Sequence, residues 1–417
     1  MSSETSTFVL PEARTAAAQR PSFFERRVLE RLSRISSGSL QVLFAGRRHA
    51  FGETGSDFPP ATVHVHDARF FSAVALRGTV GAGEAYAAGW WSSEDLTAVV
   101  RAVSRNESVL AGVEGGLARL VQPFLALRHR LRRNTPNGSR ANIAAHYDLS
   151  NEFFELFLDD TLMYSCGIFE QAGTTLRAAS VAKNERICKL LKLGPDDHLL
   201  EIGTGWGGFS IHAAREHGCR VTTTTISQAQ YDLAAARIRD AGLENRITLL
   251  LEDYRNLTGT YDKLVSIEMI EAIGHQYYDE YFRRCSALLA PGGSMCLQAI
   301  TIADQIYERA KRSVDFIQRH IFPGSCIPSV TALCSSMTRA SELRVVGLDD
   351  IGLHYVPTLM HWRQRLLDRR DEARALGFSD ELLRLWDFYF CYCAGGFAER
   401  RISTVHMLLE RSATKPA

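Results

Sequence analysis

Leu199-Leu200-Glu201-Ile202-Gly203-Thr204-Gly205-Trp206-Gly207-Gly208-Phe209 (LLEIGTGWGGF) is a short apolar run that passes through four glycines into a helical pattern. Glycine lets backbone amides come close to a ligand and take up positive φ, so strand, glycines and helix in this order read as a nucleotide-type site. The spacing fits G-x-G-x-x-G. Several cofactor classes share that pattern, so the ligand has to be read from the residues around it.

From Lys183 onward, helix and strand patterns alternate. Ile187–Leu193 closes a helix, and strands are expected at Leu199–Ile202, Arg220–Thr224, Ile247–Leu251, Lys263–Ile267 and Ser294–Ile300. Helices are expected at Phe209–His217, Gln228–Ala241 and Tyr277–Leu289. Strict alternation at these lengths predicts an α/β, doubly wound, mostly parallel sheet, which binds ligands at the carboxyl ends of its strands beside the topological switch point. Upstream, Ser39–Phe51 and Ala61–Val80 alternate apolar and polar residues as short strands do, and helical periodicity follows from Asp95, giving a smaller α+β domain. A helical pattern over Leu117–Leu131 then runs into RHRLRRNTPNGSR (Arg128–Arg140). The expected division is a tail over 1–20, an N-terminal lipid-associated domain over 21–127, a basic linker over 128–140 and a catalytic domain over 141–417.

With 417 residues, 46% hydrophobic and 23% charged, the chain can bury a large core, and a formal net charge of +1 gives no general pull toward nucleic acid. The basic run is either a solvated helix end and linker or a contact with an anionic membrane surface. Nine cysteines without paired C-x-x-C spacing point to a reduced, cytoplasmic protein with no metal site. No stretch approaches the roughly 20 apolar residues of a membrane span, so a membrane substrate would be met from the surface.

A dinucleotide site calls for an acid about 20 positions downstream, at the end of the second strand. That strand ends in Thr222-Thr223-Thr224-Thr225. Acids stand elsewhere: Glu201 just before the glycines, and Glu252-Asp253-Tyr254 after the third strand. Asp253 can accept from an adenine amino group while Tyr254 covers the ring, or it can simply cap a turn. Without Lys or Arg in the loop, the arrangement suits S-adenosylmethionine, a cation lacking phosphates.

HYDLSNEFFELFLDDTLMYSCGIF (His146–Phe169), LLEIGTGWGGF, VSIEMIEAIG (Val265–Gly274), IFPGSCIPS (Ile321–Ser329), HYVPTLMHW (His354–Trp362) and CAGGF (Cys393–Phe397) together resemble the cyclopropane-fatty-acyl-phospholipid synthase family, which includes the mycolic acid cyclopropane synthases. The resemblance implies a Rossmann-like class I methyltransferase fold that moves the methyl of S-adenosylmethionine onto a cis double bond of an unsaturated phospholipid acyl chain. It also implies a homodimer at the inner face of the membrane. Carried over by motif, Tyr147, Tyr164 and Ser165 would hold the methionine end, with Gly203, Thr204, Gly205, Trp206 and Gly207 in the loop. Thr225 and Gln230 would take the ribose, and Asp253 and Tyr254 the adenine. Cys166, Glu271, Ile300 and Tyr355 would surround a bicarbonate ion acting as base, and Cys393 matches a cysteine given catalytic weight in the family. An alkene is a poor nucleophile, methyl transfer to it builds a carbocation, and a base must then remove a proton.

Two positions depart from the family pattern. Gln298 stands where a bicarbonate-binding His is expected, and Gln can donate a hydrogen bond but carries no proton. Glu268 stands where the motif has a small residue. In a helical turn it would share a face with Glu271, and two close carboxylates resist ionising together. It could also contact the cofactor or cap a turn. These departures keep a methylene- or methyl-branched product open beside the cyclopropane. A lipid-binding module without turnover is the reading of another class.

Overall fold

The computed structural model describes residues 21–53, 60–106, 109 and 149–413. The expected tail, the Leu117–Leu131 helix, the basic run, His146 and Tyr147 lie outside these residues.

The N-terminal part opens with α1 (Phe23–Leu32), where the Ser22 hydroxyl and the Glu25 carboxylate each accept from the other's backbone N–H, a reciprocal cap. Strands β1 (Ser39–Phe44) and β2 (Arg47–Gly52) form a hairpin turning through Ala45 and Gly46, both at positive φ, which matches the twist of the pair. Strand β3 (Ala61–Val65) pairs parallel to β1, and the short β4 (Trp91–Ser92) closes a four-stranded sheet ordered β2-β1-β3-β4.

The expected strand character of Ala61–Val80 holds only as far as Val65. Arg69–Ala87 is a helix, α2, with one non-helical residue at Gly78. Phe70, Phe71, Val74, Ala75, Val80 and Ala85 are all buried, on several sides of the helix. A helix covered all round loses the polar stripe that would mark its 3.6-residue period. Helix α3 (Leu96–Arg105) follows, capped by Asp95 as its sequence suggests.

After α4 (Asn151–Phe157) and α5 (Leu176–Leu191) the chain enters the large sheet through β5 (His198–Ile202), α6 (Gly208–His217), β6 (Arg220–Thr225), α7 (Gln228–Asp240) and β7 (Ile247–Leu251). It continues through β8 (Tyr261–Ile267), α8 (Tyr278–Leu288) and β9 (Leu289–Ile302). Helices α9 (Asp304–Ala310) and α10 (Val330–Ala340), strand β10 (Leu343–Asp350), helices α11 (Tyr355–Asp368), α12 (Arg370–Ala375) and α13 (Asp380–Ala398), and strand β11 (Ile402–Arg411) complete it.

The sheet order is β10-β11-β9-β8-β5-β6-β7, with β9 to β7 parallel and β11 antiparallel to both neighbours. The first half winds outward from β5 through β6 to β7, and the chain then returns to β8 on the other side of β5. That reversal puts the switch point between β5 and β8, where a crevice opens beyond the strand ends. Gly203 follows β5 and Glu268 follows β8. Both therefore stand at the crevice.

Helix α13 packs against α2, α3 and α11, and one hydrophobic core runs continuously from β1 and α2 to Trp362, Trp386 and Phe390. Polar ties cross the same junction: the Tyr86 hydroxyl donates to Asp387 at 2.6 Å, Arg363 donates to the other Asp387 oxygen at 2.6 Å, and Arg101 and Arg105 hold Glu399.

Candidate active site

A cavity of about 440 Å³ opens beyond the carboxyl ends of β5, β6 and β8. Its floor is the glycine loop. Gly203, Gly205 and Gly207 all have positive φ, and a Cβ added at Gly205 would point into open space. Gly203, Thr204, Gly205 and Trp206 line the cavity, and Glu201 reaches it from β5. Gly207 does not line it: it is the N-cap of α6, packed toward Ile211 and Ala234. The Trp206 indole is fixed by donation to Asn151 at 2.8 Å and by the Phe154 ring at 4.9 Å. Glu201 accepts from Ser210 and from Thr223, and burial pushes its carboxyl up to about 7.

Around the loop stand the other expected cofactor residues. Ser165 is buried in the cavity wall, its hydroxyl without a partner among the described residues, and the Tyr164 hydroxyl meets that of Tyr389 at 3.1 Å. Thr225 donates to Gln230 at 2.9 Å on the far side, and the Tyr254 hydroxyl is buried without a partner among the described residues. Asp253 lines the cavity too, but both its oxygens accept from Arg255, at 2.9 and 2.6 Å, and it caps a short 3-10 turn. The turn-capping reading of Asp253 thus describes this side chain.

The chemistry-bearing end lies across the crevice, where a Cβ at Gly203 would sit 3.4 Å from Met269. Glu268 has φ of 51°, a conformation that L side chains other than Asn and Asp rarely adopt, and this turns its carboxylate back into the fold. Its Oε1 accepts from the Cys166 backbone N–H at 3.2 Å and from Gln298 Nε2 at 2.8 Å, and its Oε2 accepts from the Tyr355 hydroxyl at 2.8 Å. Burial raises the Glu268 carboxyl while these donors work against the rise. Glu271 follows in the turn Ile270–Ala272, with Oε1 on the Ile300 backbone N–H and Oε2 buried without a partner among the described residues. Burial, with the Glu268 charge beside it, pushes Glu271 up to about 8.

Several expectations are corrected here. The Cys166 thiol is turned away from the cavity onto the carbonyls of Gly167 and Ile351, and only its backbone N–H serves the site. Burial holds that thiol far above its ordinary pKa. Gln298 does not line the cavity either. It stands behind Glu268, its carbonyl oxygen held by His406 at 2.9 Å in the paired strand β11, which turns its NH2 toward the carboxylate. Ile300 contributes its backbone N–H. Cys393 does line the cavity, half-buried, with its pKa raised by burial and by Asp315. Phe153 is fully buried among aromatic rings and belongs to the core.

Sequence reasoning missed Lys183. It is fully buried, with no hydrogen-bond partner for its amine among the described residues, and burial pulls its pKa down to about 8 against the pull of Glu268 and Glu201. One signal was available: Leu176, Ser180, Lys183, Ile187 and Leu191 repeat at helical spacing and form the buried stripe of α5. A group the reading did not anticipate lies away from the cavity. Cys188, His212 and His217 bring metal-type ligand atoms within 4.8 Å of one another, and Glu185 accepts from the two imidazoles at 3.3 and 3.0 Å.

Comparison with known proteins follows this geometry. Residues 134–407 match the family model described as mycolic acid cyclopropane synthetase. The chain is 37% identical over 360 residues to the tuberculostearic acid methyltransferase UfaA1 of Mycobacterium tuberculosis, covering 84% of this chain and 82% of that one. It is 34% identical over 357 residues to the cyclopropane-fatty-acyl-phospholipid synthase of Escherichia coli, covering 84% and 88%. Among solved structures, the mycolic acid cyclopropane synthase CmaA1 complexed with SAH and CTAB superposes with a TM-score of 0.61 at 31% identity, over 65% of this chain and 98% of that one.

Proposed function

The chain belongs to the mycolic acid cyclopropane synthetase family and is an S-adenosylmethionine-dependent methyltransferase with the Rossmann-like class I fold; from that premise we propose that it methylates a cis double bond of an unsaturated phospholipid acyl chain, closing a cyclopropane. The observation that carries this reading is a single cavity whose lining passes from the glycine loop, past the Glu268 and Glu271 carboxyls, to the apolar side chains Ile317, Phe322, Leu359 and Phe397. A cofactor and a chain segment can therefore meet there.

The residues fit S-adenosylmethionine: unpartnered hydroxyls at Ser165 and Tyr254, and bare backbone at Gly205. Tyr164 and Ser165 would hold its methionine end, Thr225 and Gln230 its ribose, and Asp253 and Tyr254 its adenine, with Glu201 bridging into the loop. Tyr147 belongs to the same proposed set. When bound, this group supplies an electrophilic methyl. The chain's apolar walls exclude water that would trap a carbocation, and the Tyr355 ring, stacked at 4.4 Å on Phe397, offers a π-face near the cation.

Among the described residues no helix is long and apolar enough to cross a membrane, so we take the acyl chain to be met at the bilayer surface from the cytoplasmic side. Arg309, Lys311 and Arg401 line the same cavity and suit an anionic head group. We take the working assembly to be a homodimer, which light scattering tests. A second reading, a methylene-branched chain, is kept open by Glu268 and Gln298, which depart from the family pattern. Incubation with labelled S-adenosylmethionine and unsaturated phospholipid vesicles, followed by mass spectrometry of the released fatty acids, separates the two. Label in a saturated ring supports the first, and label in a chain that takes up hydrogen readily supports the second. Label absent from lipid overturns both.

A further inference from the structure

Three donors from three distant parts of the chain meet on one carboxylate in the wall of this cavity: the Cys166 backbone N–H, the Gln298 amide and the Tyr355 hydroxyl. All three donate, so the point they define is built for an anion. Glu268 fills it from inside the chain, at the cost of a left-handed backbone conformation, and such strain gathers at functional sites. The Gln298 amide turns its NH2 to Glu268 while its oxygen faces His406 Nε2 at 2.9 Å. These are the groups the family resemblance gives to bicarbonate. A free bicarbonate would find its donors taken and would face two carboxyl groups, so the residues present do not fit it.

We propose that the Glu268 carboxylate is the general base of this enzyme and takes the proton that the transferred methyl group must lose, replacing an external anion. The inference rests on the methyl-transfer reading above. Methyl transfer leaves the sulfur with its electron pair as a thioether and leaves a cation on the neighbouring chain carbon. A C–H bond of the new methyl then breaks. Its electron pair closes the ring, and the proton ends on a Glu268 oxygen. In the methylene outcome a 1,2-hydride shift comes first, and the same methyl C–H pair becomes the second bond of the C=CH2 group. One base in one place serves both.

The other candidates for the role are less suited. Glu271 has an unpartnered oxygen beside a charged neighbour, which favours its protonated form. The Tyr355 hydroxyl already donates to Glu268, and the Cys166 thiol faces away. Lys183 supplies a buried positive charge that favours ionised Glu268.

The test uses the full-length enzyme, labelled S-adenosylmethionine and unsaturated phospholipid vesicles, in buffer stripped of carbon dioxide. Wild type is expected to label lipid at the same rate with and without added bicarbonate. Glu268→Gln should lose about 10²–10⁴-fold in turnover while keeping the thermal shift caused by S-adenosylhomocysteine. Glu268→Gly, which empties the anion position, should regain turnover with added bicarbonate or formate and not with chloride. Bicarbonate dependence of wild type, near-normal turnover of Glu268→Gln, or a folded, cofactor-binding Glu268→Gly that no carboxylate restores would each overturn the proposal. Wild type that labels no lipid would instead overturn the methyl-transfer reading beneath it.

Discussion

The two carboxyl groups at the crevice have the same ordinary pKa and different partners, and the partners divide their roles. Glu268 has three donors spread over both oxygens, while Glu271 has only backbone N–H groups and the Glu268 charge beside it, so charge settles on the first and a proton on the second. Glu271 in the folded state titrates at about 8, above the roughly 4.3 of an unfolded chain. Between these values the native state binds the extra proton, so stability falls as pH rises through that window. Glu271→Gln removes the titration: its unfolding temperature should match wild type below about pH 4 and exceed it increasingly toward pH 8. Because the amide mimics the protonated acid, turnover should fall by less than about tenfold, far less than for Glu268→Gln. Lys183→Met removes the buried cation near Glu268. The acid limb of the kcat/KM profile should then move up by about one pH unit or more, and an unmoved limb would assign Lys183 to packing alone.

At the scale of elements, the glycine loop works because α6 starts hard against the segment preceding α5. A Cβ at Gly208 would collide with the Thr161 carbonyl and come within 2.7 Å of Met163 sulfur. Gly208→Ala is therefore expected to destabilise by about 1–3 kcal/mol and to weaken S-adenosylhomocysteine binding, read by thermal unfolding with and without the ligand. Strands β5, β8 and β9 were legible because a buried parallel strand reads as an apolar run between breakers, and β6 because its β-branched Val221–Thr225 stand between two helical patterns. The helix α2 was not, since burial on several sides erased its period. The pair Glu268 and Glu271 was legible as two nearby acids. Its geometry was not, because the left-handed residue at 268 precedes a 3-10 turn where the spacing suggested a helical face.

Across the whole molecule, α13 joins the N-terminal sheet to the site, carrying Tyr389, Cys393 and Phe397 on the cavity side and Asp387 toward Tyr86. A shared core makes the described parts one cooperative unit, so a single unfolding transition is expected in calorimetry. Asp387→Ala strands the buried Tyr86 hydroxyl and the partly exposed Arg363, and should lower that whole transition by about 2–3 kcal/mol. Two separate transitions would mean the junction is weaker than its contacts imply. The alternation of strands β5 to β9 with helices, the cofactor loop and the kinship to acyl-chain methyltransferases were all in the sequence, because residue periodicity, glycines and short motifs are local signals. The anion position at Glu268 was decided by the tertiary structure alone. Hydrogen bonds act over a few ångströms, and only folding brings residues 166, 298 and 355 that close to one carboxylate.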